Sequence, residues 1–310
     1  MIAPSIQHPI SVRLGTRGST LARWQANWTA ERLRTQGISV EIVIIHTSGD
    51  LVQNEAIVNM GAQGVFTKEI QRALLENKID IAVHSLKDMP TEHVAGLSLV
   101  AVPRRESYRD AFVSLFAEKI ADMPKDSRIG TGSLRRKTQI LHHFGNRFRV
   151  EDIRGNVETR LRKLKQGEYD ALILAEAGLI RLGLADSIRS LLDVPFFMPA
   201  IGQGALGWEI RSDDRQTAKL LQPLTDESTL AAILAERAML RELQGGCSAP
   251  IAALGTVEKS MLTLHGRILS LDGHQMFDVM QSAPLSDDPE LLGVGVAHEL
   301  RENRERSGAK

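Results

Sequence analysis

The chain has 310 residues, 43% of them hydrophobic and 25% charged, with 38 basic and 38 acidic residues and a formal net charge of zero. That length suits two or three domains with sizeable cores; the even charge balance argues against a nucleic-acid binder, which usually carries a basic excess, and no apolar run approaches the roughly 18 residues of a membrane span. The one cysteine excludes an internal disulfide framework and fits a reducing, cytoplasmic setting, and the first ten or so residues read as a loose tail without the features of a signal peptide.

Strands and helices alternate over the first two-thirds. Residues 11–14 read as a short strand, 15–19 as a polar glycine turn, and 20–36 as a helix with Ser19 placed to cap it. A β-branched strand at 40–45 follows, then a helix at 68–77 and a buried strand at 80–84. The order then returns. Residues 128–129 lead into the turn Gly130-Thr131-Gly132-Ser133, a helix at 134–144, a strand at 148–151, a helix at 156–166 and a strand at 169–175. Leu14-Gly15-Thr16 parallels Ile129-Gly130-Thr131, and residues 79–83 parallel 169–173. This pattern predicts two similarly built α/β halves with open sheets flanked by helices. Residues 195–207 read as a Pro/Gly-rich connection, and 206–210 as a strand returning to an earlier sheet. From Asp226 the texture changes to a helix at 230–243, strands near 251–256, 261–269 and 275–282, and a final amphipathic helix at 290–304. That is a compact α+β third domain.

A turn that opens a helix presents unpaired backbone N–H groups and a positive dipole end. This chain builds that device twice, with Arg13 and Arg17 beside the first turn and Arg135 and Arg136 beside the second. One such turn is more often plain capping, but two with arginine favour anion binding. Neither is a P-loop. Arg154, Arg160 and Arg181 stand where an open α/β sheet puts ligands, near the carboxyl ends of strands, and arginine forks suit planar carboxylates. Lys87 and Asp88 directly follow a buried strand; the pair reads either as acid/base and cation-stabilising chemistry or as a surface ion pair. His84 reads as structural, and His142-His143 lacks the spacing of a helical metal pair, so no metal is expected. Cys247 sits in a loop, Gly245-Gly246-Cys247-Ser248-Ala249-Pro250, where a thiolate is able to attack an electrophile.

Together these stretches resemble the porphobilinogen deaminase family. The likeness runs in order through GTRGSTLARWQA, GVFTKEIQRALLENKIDIAVHSLKDMPT, RRESYRDAFVS, IGTGSLRRKTQ, RGNVETRLRKL, YDALILAEAGLIRLGL, PAIGQGALG and AERAMLRELQGGCSAPI, and covers nearly the whole chain from about Arg13. The resemblance implies two similar doubly wound domains facing a cleft, periplasmic-binding-protein-like, at 10–104 with 205–222 and at 108–198. A small α+β C-terminal domain follows at 227–310. It implies hydroxymethylbilane synthase activity: four porphobilinogen molecules condense with loss of ammonia, and linear hydroxymethylbilane is released. Cys247 would hold a dipyrromethane cofactor through a thioether, and Asp88 would be the catalytic carboxylate. Arg17, Ser19, Lys87, Thr131, Ser133, Arg135, Arg136, Arg154, Asn156, Arg160 and Arg181 would bind cofactor and substrate, with Asp50 and Phe66 in matching stretches. A cytoplasmic monomer is expected, with no nucleic-acid or membrane partner and with hand-over of product to the next tetrapyrrole enzyme. Two departures stand out: Asn59 and Gln63 lie where lysines are common, in a loop at 54–64, and Gly132 lies where serine is common. The rival readings are a two-lobed binding module for carboxylated metabolites, which needs neither Asp88 nor Cys247, and a cysteine-dependent acyl transferase or hydrolase.

Overall fold

The computed structural model of the chain describes residues 10–46, 67–244 and 250–308. Cys247, Asp50, Phe66, the expected tail, and the loop at 54–64 with Asn59 and Gln63 lie outside the described residues. The chain divides into two compact units. One holds the residues up to His84, His93–Ala101 and Gly207–Thr225; the other holds Ser85–Glu92, Val102–Leu206 and the chain from Asp226 on.

The first unit is built on β1 (Ser11–Thr16), β2 (Ser39–Ile44), β3 (Ile81–Ser85), β4 (Leu97–Ala101) and β10 (Leu206–Arg211), in the order β2-β1-β3-β10-β4. β1 runs parallel to both β2 and β3, while β10 runs antiparallel to β4. Alternate residues of a strand point to opposite faces, and β3 shows the result. Ile81 and Val83 join Ala26, Ala30 and Leu33 of helix α1 (Thr20–Thr35) in one core, and Ala82 joins Ile70 and Leu74 of α2 (Lys68–Leu75) in another. Trp208 is fully buried, and its indole N–H donates to Thr29 Oγ1 at 3.1 Å. The expected strand at 206–210 therefore does return to the earlier sheet.

The second unit repeats the plan with β5 (Asp110–Ser114), β6 (Arg128–Gly130), β7 (Arg149–Glu151), β8 (Ala171–Ala175) and β9 (Ser190–Leu192), ordered β7-β6-β8-β5-β9. β6 is parallel to β7 and β8, and β5 is antiparallel to β8 and β9. Ile173 faces a core with Ile140 of α3 (Leu134–Phe144), and Leu172 faces one with Leu161 and Leu164 of α4 (Val157–Lys165). The parallel between the halves extends to single contacts. Arg13 N–H donates to Asp80 at 2.8 Å and Asp80 N–H donates back to the Arg13 carbonyl at 2.8 Å; Arg128 and Asp170 do the same at 2.7 and 2.9 Å. The same unit carries an antiparallel sheet, β11 (Ile251–Glu258), β12 (Met261–Leu269) and β13 (Met276–Pro284), which shares its own core with α6 (Glu227–Glu242) and α7 (Pro289–Arg306).

Sequence reading does not anticipate β4, β5 or β9. Gly178 is buried inside the helix α5 (Glu176–Arg181).

Candidate active site

Most of the expected site residues follow the carboxyl ends of parallel strands, the place where doubly wound sheets bind ligands. β3 runs out into a single 3-10 turn, Leu86–Asp88. That turn belongs to the second unit because Leu86 N–H donates to the Ala205 carbonyl at 3.1 Å and Arg237 donates to the carbonyls of Met89 and Pro90 at 3.1 and 2.6 Å. Leu86 is buried, Lys87 is half-buried, and the carboxylate of Asp88 is exposed. The backbone thus fixes a charged pair whose apolar neighbour anchors it.

Around this turn the second unit brings together Arg136, Arg160, Asp110 and Asp88, the charges that act most on Lys87. Burial pushes the Lys87 amine below its ordinary value, Arg136 and Arg160 push it the same way, and Asp88 and Asp110 oppose them. Arg160 is pushed down to about 10, first by burial and then by Arg136 and Arg154. It remains a cation at neutral pH.

Arg135 and Arg136 are both buried, and both hold Asp110. Arg135 Nη1 lies 2.8 Å from Asp110 Oδ2, and Arg136 Nε and Nη2 lie 3.0 and 2.7 Å from Oδ1. Burial alone would raise the Asp110 carboxyl, yet the two guanidiniums hold it below the usual carboxylate range. Gln203 completes the cluster by donating to Asp110 Oδ1 at 2.9 Å and to the Tyr108 carbonyl at 2.7 Å. Arg135, Arg136 and Arg160 outnumber Asp88 and Asp110, three guanidiniums to two carboxylates, so the cluster keeps a positive excess without counting Lys87.

The remaining expected residues take varied places. Thr131 is buried and its hydroxyl accepts from Ser133 N–H at 3.3 Å. Ser133 occupies the cap position of α3 without a side-chain capping bond. Asn156 caps α4 by accepting from Thr159 N–H at 2.8 Å. Arg154 is exposed and paired with Asp152 at 2.7 Å, and Arg160 Nε donates to the Gly155 carbonyl at 2.8 Å. Arg181 donates to the Gly204 carbonyl at 2.7 Å, and burial pushes it to about 10. Arg17 and Ser19 lie in the first unit, where Ser19 caps α1 by accepting from Ala22 N–H at 3.3 Å. Arg13 is held by Asp80 (Nη2 to Oδ1, 2.8 Å), so its charge serves the sheet and not a turn ligand. His84 pairs with Glu209 at 3.0 Å in the first unit's interior. Among the described residues, no group of His, Cys, Asp and Glu is arranged to hold a metal, and no helix is long and apolar enough to cross a membrane.

Comparison with known proteins gives this geometry its family. Residues 12–219 match the model described as porphobilinogen deaminase, dipyromethane cofactor binding domain, and 230–302 match porphobilinogen deaminase, C-terminal domain. The chain is 46% identical over 294 residues to a porphobilinogen deaminase of Acidithiobacillus ferrooxidans, covering 94% of this chain and 95% of that one. It is 50% identical over 271 residues to one from Trichlorobacter lovleyi, covering 86% of each. The chain belongs to the porphobilinogen deaminase family.

Among solved structures, a putative methionine-binding lipoprotein from Bacillus subtilis subsp. subtilis str. 168 is similar at 10% identity and a TM-score of 0.44, covering 69% of this chain and 89% of that one. A likeness of that size bears on neither ligand nor activity. The residues themselves fit a porphobilinogen deaminase. A dipyrromethane carries two carboxylates on each ring, and the second unit offers buried cations in excess over their own counterions. Gly132 also finds a physical reason. A Cβ there would lie 2.9 Å from the Ile153 carbonyl oxygen, so a serine needs that backbone to shift. Sequence reading missed Asp110 and Gln203 as members of this charged cluster. Asp110 opens an apolar strand, and an acidic residue next to such a run looks like a boundary; its partners lie 25 and 26 residues away.

Proposed function

We propose that this deaminase is a hydroxymethylbilane synthase whose second unit binds the carboxylates of cofactor and growing chain while Asp88 manages protons. The reaction joins four porphobilinogen molecules with loss of ammonia and releases hydroxymethylbilane. The dipyrromethane, attached at Cys247, supplies the primer end. The observation that carries this reading is the convergence of Lys87, Arg135, Arg136 and Arg160 on two carboxylates, one of them the exposed Asp88.

Lys87, Arg135, Arg136 and Arg160 bind and orient substrate carboxylates, and the uncapped N-terminus of α3 at Ser133 adds backbone donors. Asp88 holds a proton for the departing amine and then, as a carboxylate, lowers the energy of positive charge nearby. Arg154, Asn156 and Arg181 in the second unit, with Arg17 and Ser19 in the first, complete the binding set. We assign this division of labour to three domains, at 10–104 with 205–222, 108–198 and 227–310. We assign it as a cytoplasmic monomer without a membrane partner that hands its product to the next tetrapyrrole enzyme; the single cysteine suits a reducing setting, and the even charge balance argues against a nucleic-acid partner.

Intact mass of the purified protein tests this directly. An excess equal to a dipyrromethane is expected on the peptide holding Cys247, absent in Cys247→Ala. Asp88→Ala is expected to keep that mass and lose turnover. Turnover retained in Asp88→Ala would falsify the proton role, and an unmodified mass after incubation with porphobilinogen would favour a binding module for carboxylated molecules.

A further inference from the structure

The C-terminal sheet reaches the arginine helix through one buried line of polar contacts. Arg267 of β12 is 2% exposed. Its fork grips both oxygens of Asp278 on β13, with Nε to Oδ1 at 2.7 Å and Nη2 to Oδ2 at 2.8 Å. The third nitrogen points out of the sheet: Nη1 donates to Gln139 Oε1 at 3.0 Å and to the Phe196 carbonyl at 3.4 Å. Gln139 is wholly buried on α3. Its Oε1 also accepts from Met198 N–H at 2.7 Å, while its Nε2 donates to the Met198 carbonyl at 3.1 Å and to the Arg135 carbonyl at 3.3 Å. The Met198 carbonyl accepts from Arg135 Nη1 as well, and that same nitrogen donates to Asp110.

The chemistry of these groups gives the line a direction. A guanidinium has donors and no acceptor, so Arg267 fixes which end of the Gln139 amide faces it. The other end is then committed to the Met198 and Arg135 carbonyls. In a buried, low-dielectric setting such a chain is costly to break at any link, because each orphaned group keeps its desolvation cost. A second contact joins the same elements. The β12–β13 turn sits on α3 at Gly273 (φ +75°), where a Cβ would lie 2.7 Å from Leu141 Cβ, and His142 Nδ1 lies 2.8 Å from the Gly273 carbonyl oxygen.

We propose that Arg267 is a positioning residue, which sets through Gln139 and Met198 where Arg135 stands toward substrate carboxylates. The domain that carries Cys247 and the helix that carries the arginines are thereby held as one piece. This rests on the reading of Arg135 and Arg136 as carboxylate binders.

The test uses the full cofactor-bearing protein with Arg267→Lys and Gln139→Met. The second variant leaves the Arg267–Asp278 pair intact, in case the first fails to fold. Amide hydrogen exchange is the first readout. Both variants are expected to exchange about tenfold faster at Arg135–Gln139 and at Met198, with β11–β13 unchanged in Gln139→Met. Steady-state kinetics is the second: KM for porphobilinogen is expected to rise about fivefold with kcat within about twofold. Unchanged exchange on α3 overturns the line of contacts, whatever the enzyme does. Faster exchange with unchanged KM overturns the positioning role. Failure of the functional reading itself would show differently, as wild-type protein with neither dipyrromethane mass nor turnover, and exchange would still decide the contacts.

Discussion

The two glycine turns follow one plan and end differently. In both halves a glycine lies at or next to the end of a parallel strand, Gly15 in β1 and Gly130 in β6, and an Asp–Arg bond pins that strand to its neighbour, Asp80 with Arg13 and Asp170 with Arg128. In the first half the turn closes on itself, since Ser19 caps α1. In the second, Ser133 makes no side-chain cap, and Arg135 and Arg136, just past Leu134, are buried and share Asp110. The difference teaches how a repeated scaffold acquires a charged site. The scaffold contacts are kept, the cap is given up, and a buried carboxylate is added to hold two cations that burial would otherwise expel.

The sharpest way to break that comparison is to remove the added carboxylate. Asp110→Asn leaves two buried guanidiniums short of a counterion and is expected to lower stability by about 3–5 kcal/mol in urea unfolding. Asp80→Asn and Asp170→Asn, whose ion pairs are part-exposed, are expected to cost roughly 1 kcal/mol each. Equal losses at all three positions would mean that Asp110 is ordinary scaffold.

Next in size is the exchange of caps. Ser19→Ala removes a capping bond and is expected to cost about 1 kcal/mol, whereas Ser133→Ala is expected to stay within about 0.5 kcal/mol. Ser133→Ala should show itself in a raised KM for porphobilinogen at unchanged melting temperature. The reverse pattern would exchange the roles assigned to the two turns.

The smallest effect is in pH dependence. The folded chain gives up the Lys87 proton at a lower pH than the unfolded chain, whose value is 10.5. Between the two values the unfolded state binds more protons, so this group makes stability rise with pH there, while carboxylate affinity falls through the same window. In Lys87→Arg the fall in affinity is expected to move to higher pH. A KM profile identical in both proteins would remove Lys87 from the binding set.

Much of this was legible in the sequence, for a local reason. Caps, turns and buried strands depend on residues a few positions apart, so Ser19, Asn156, the run after β3 and the helix Leu134–Phe144 are readable directly. The missed parts are those fixed by distant partners. β5 begins with an aspartate whose burial makes sense only beside Arg135 and Arg136, and β9 has three residues, too few to show an alternating pattern. Gln203 looks like one polar residue in a Gly-rich connection until its carboxylate partner 93 residues earlier is known. Arg13 shows the opposite error: an arginine beside a turn looks available for a ligand, and its strand-mate Asp80 has already taken it.

The place of β10 bears on the order in which the molecule forms during synthesis. The second sheet is encoded in one stretch, from Asp110 to Leu192. The first begins at Ser11 yet needs β10, which ends at Arg211 and stands between β3 and β4. Domains generally fold as they leave the ribosome, N-terminal first. Here that order is reversed for the sheets: the half that emerges first keeps a gap between β3 and β4 until the later half has been made.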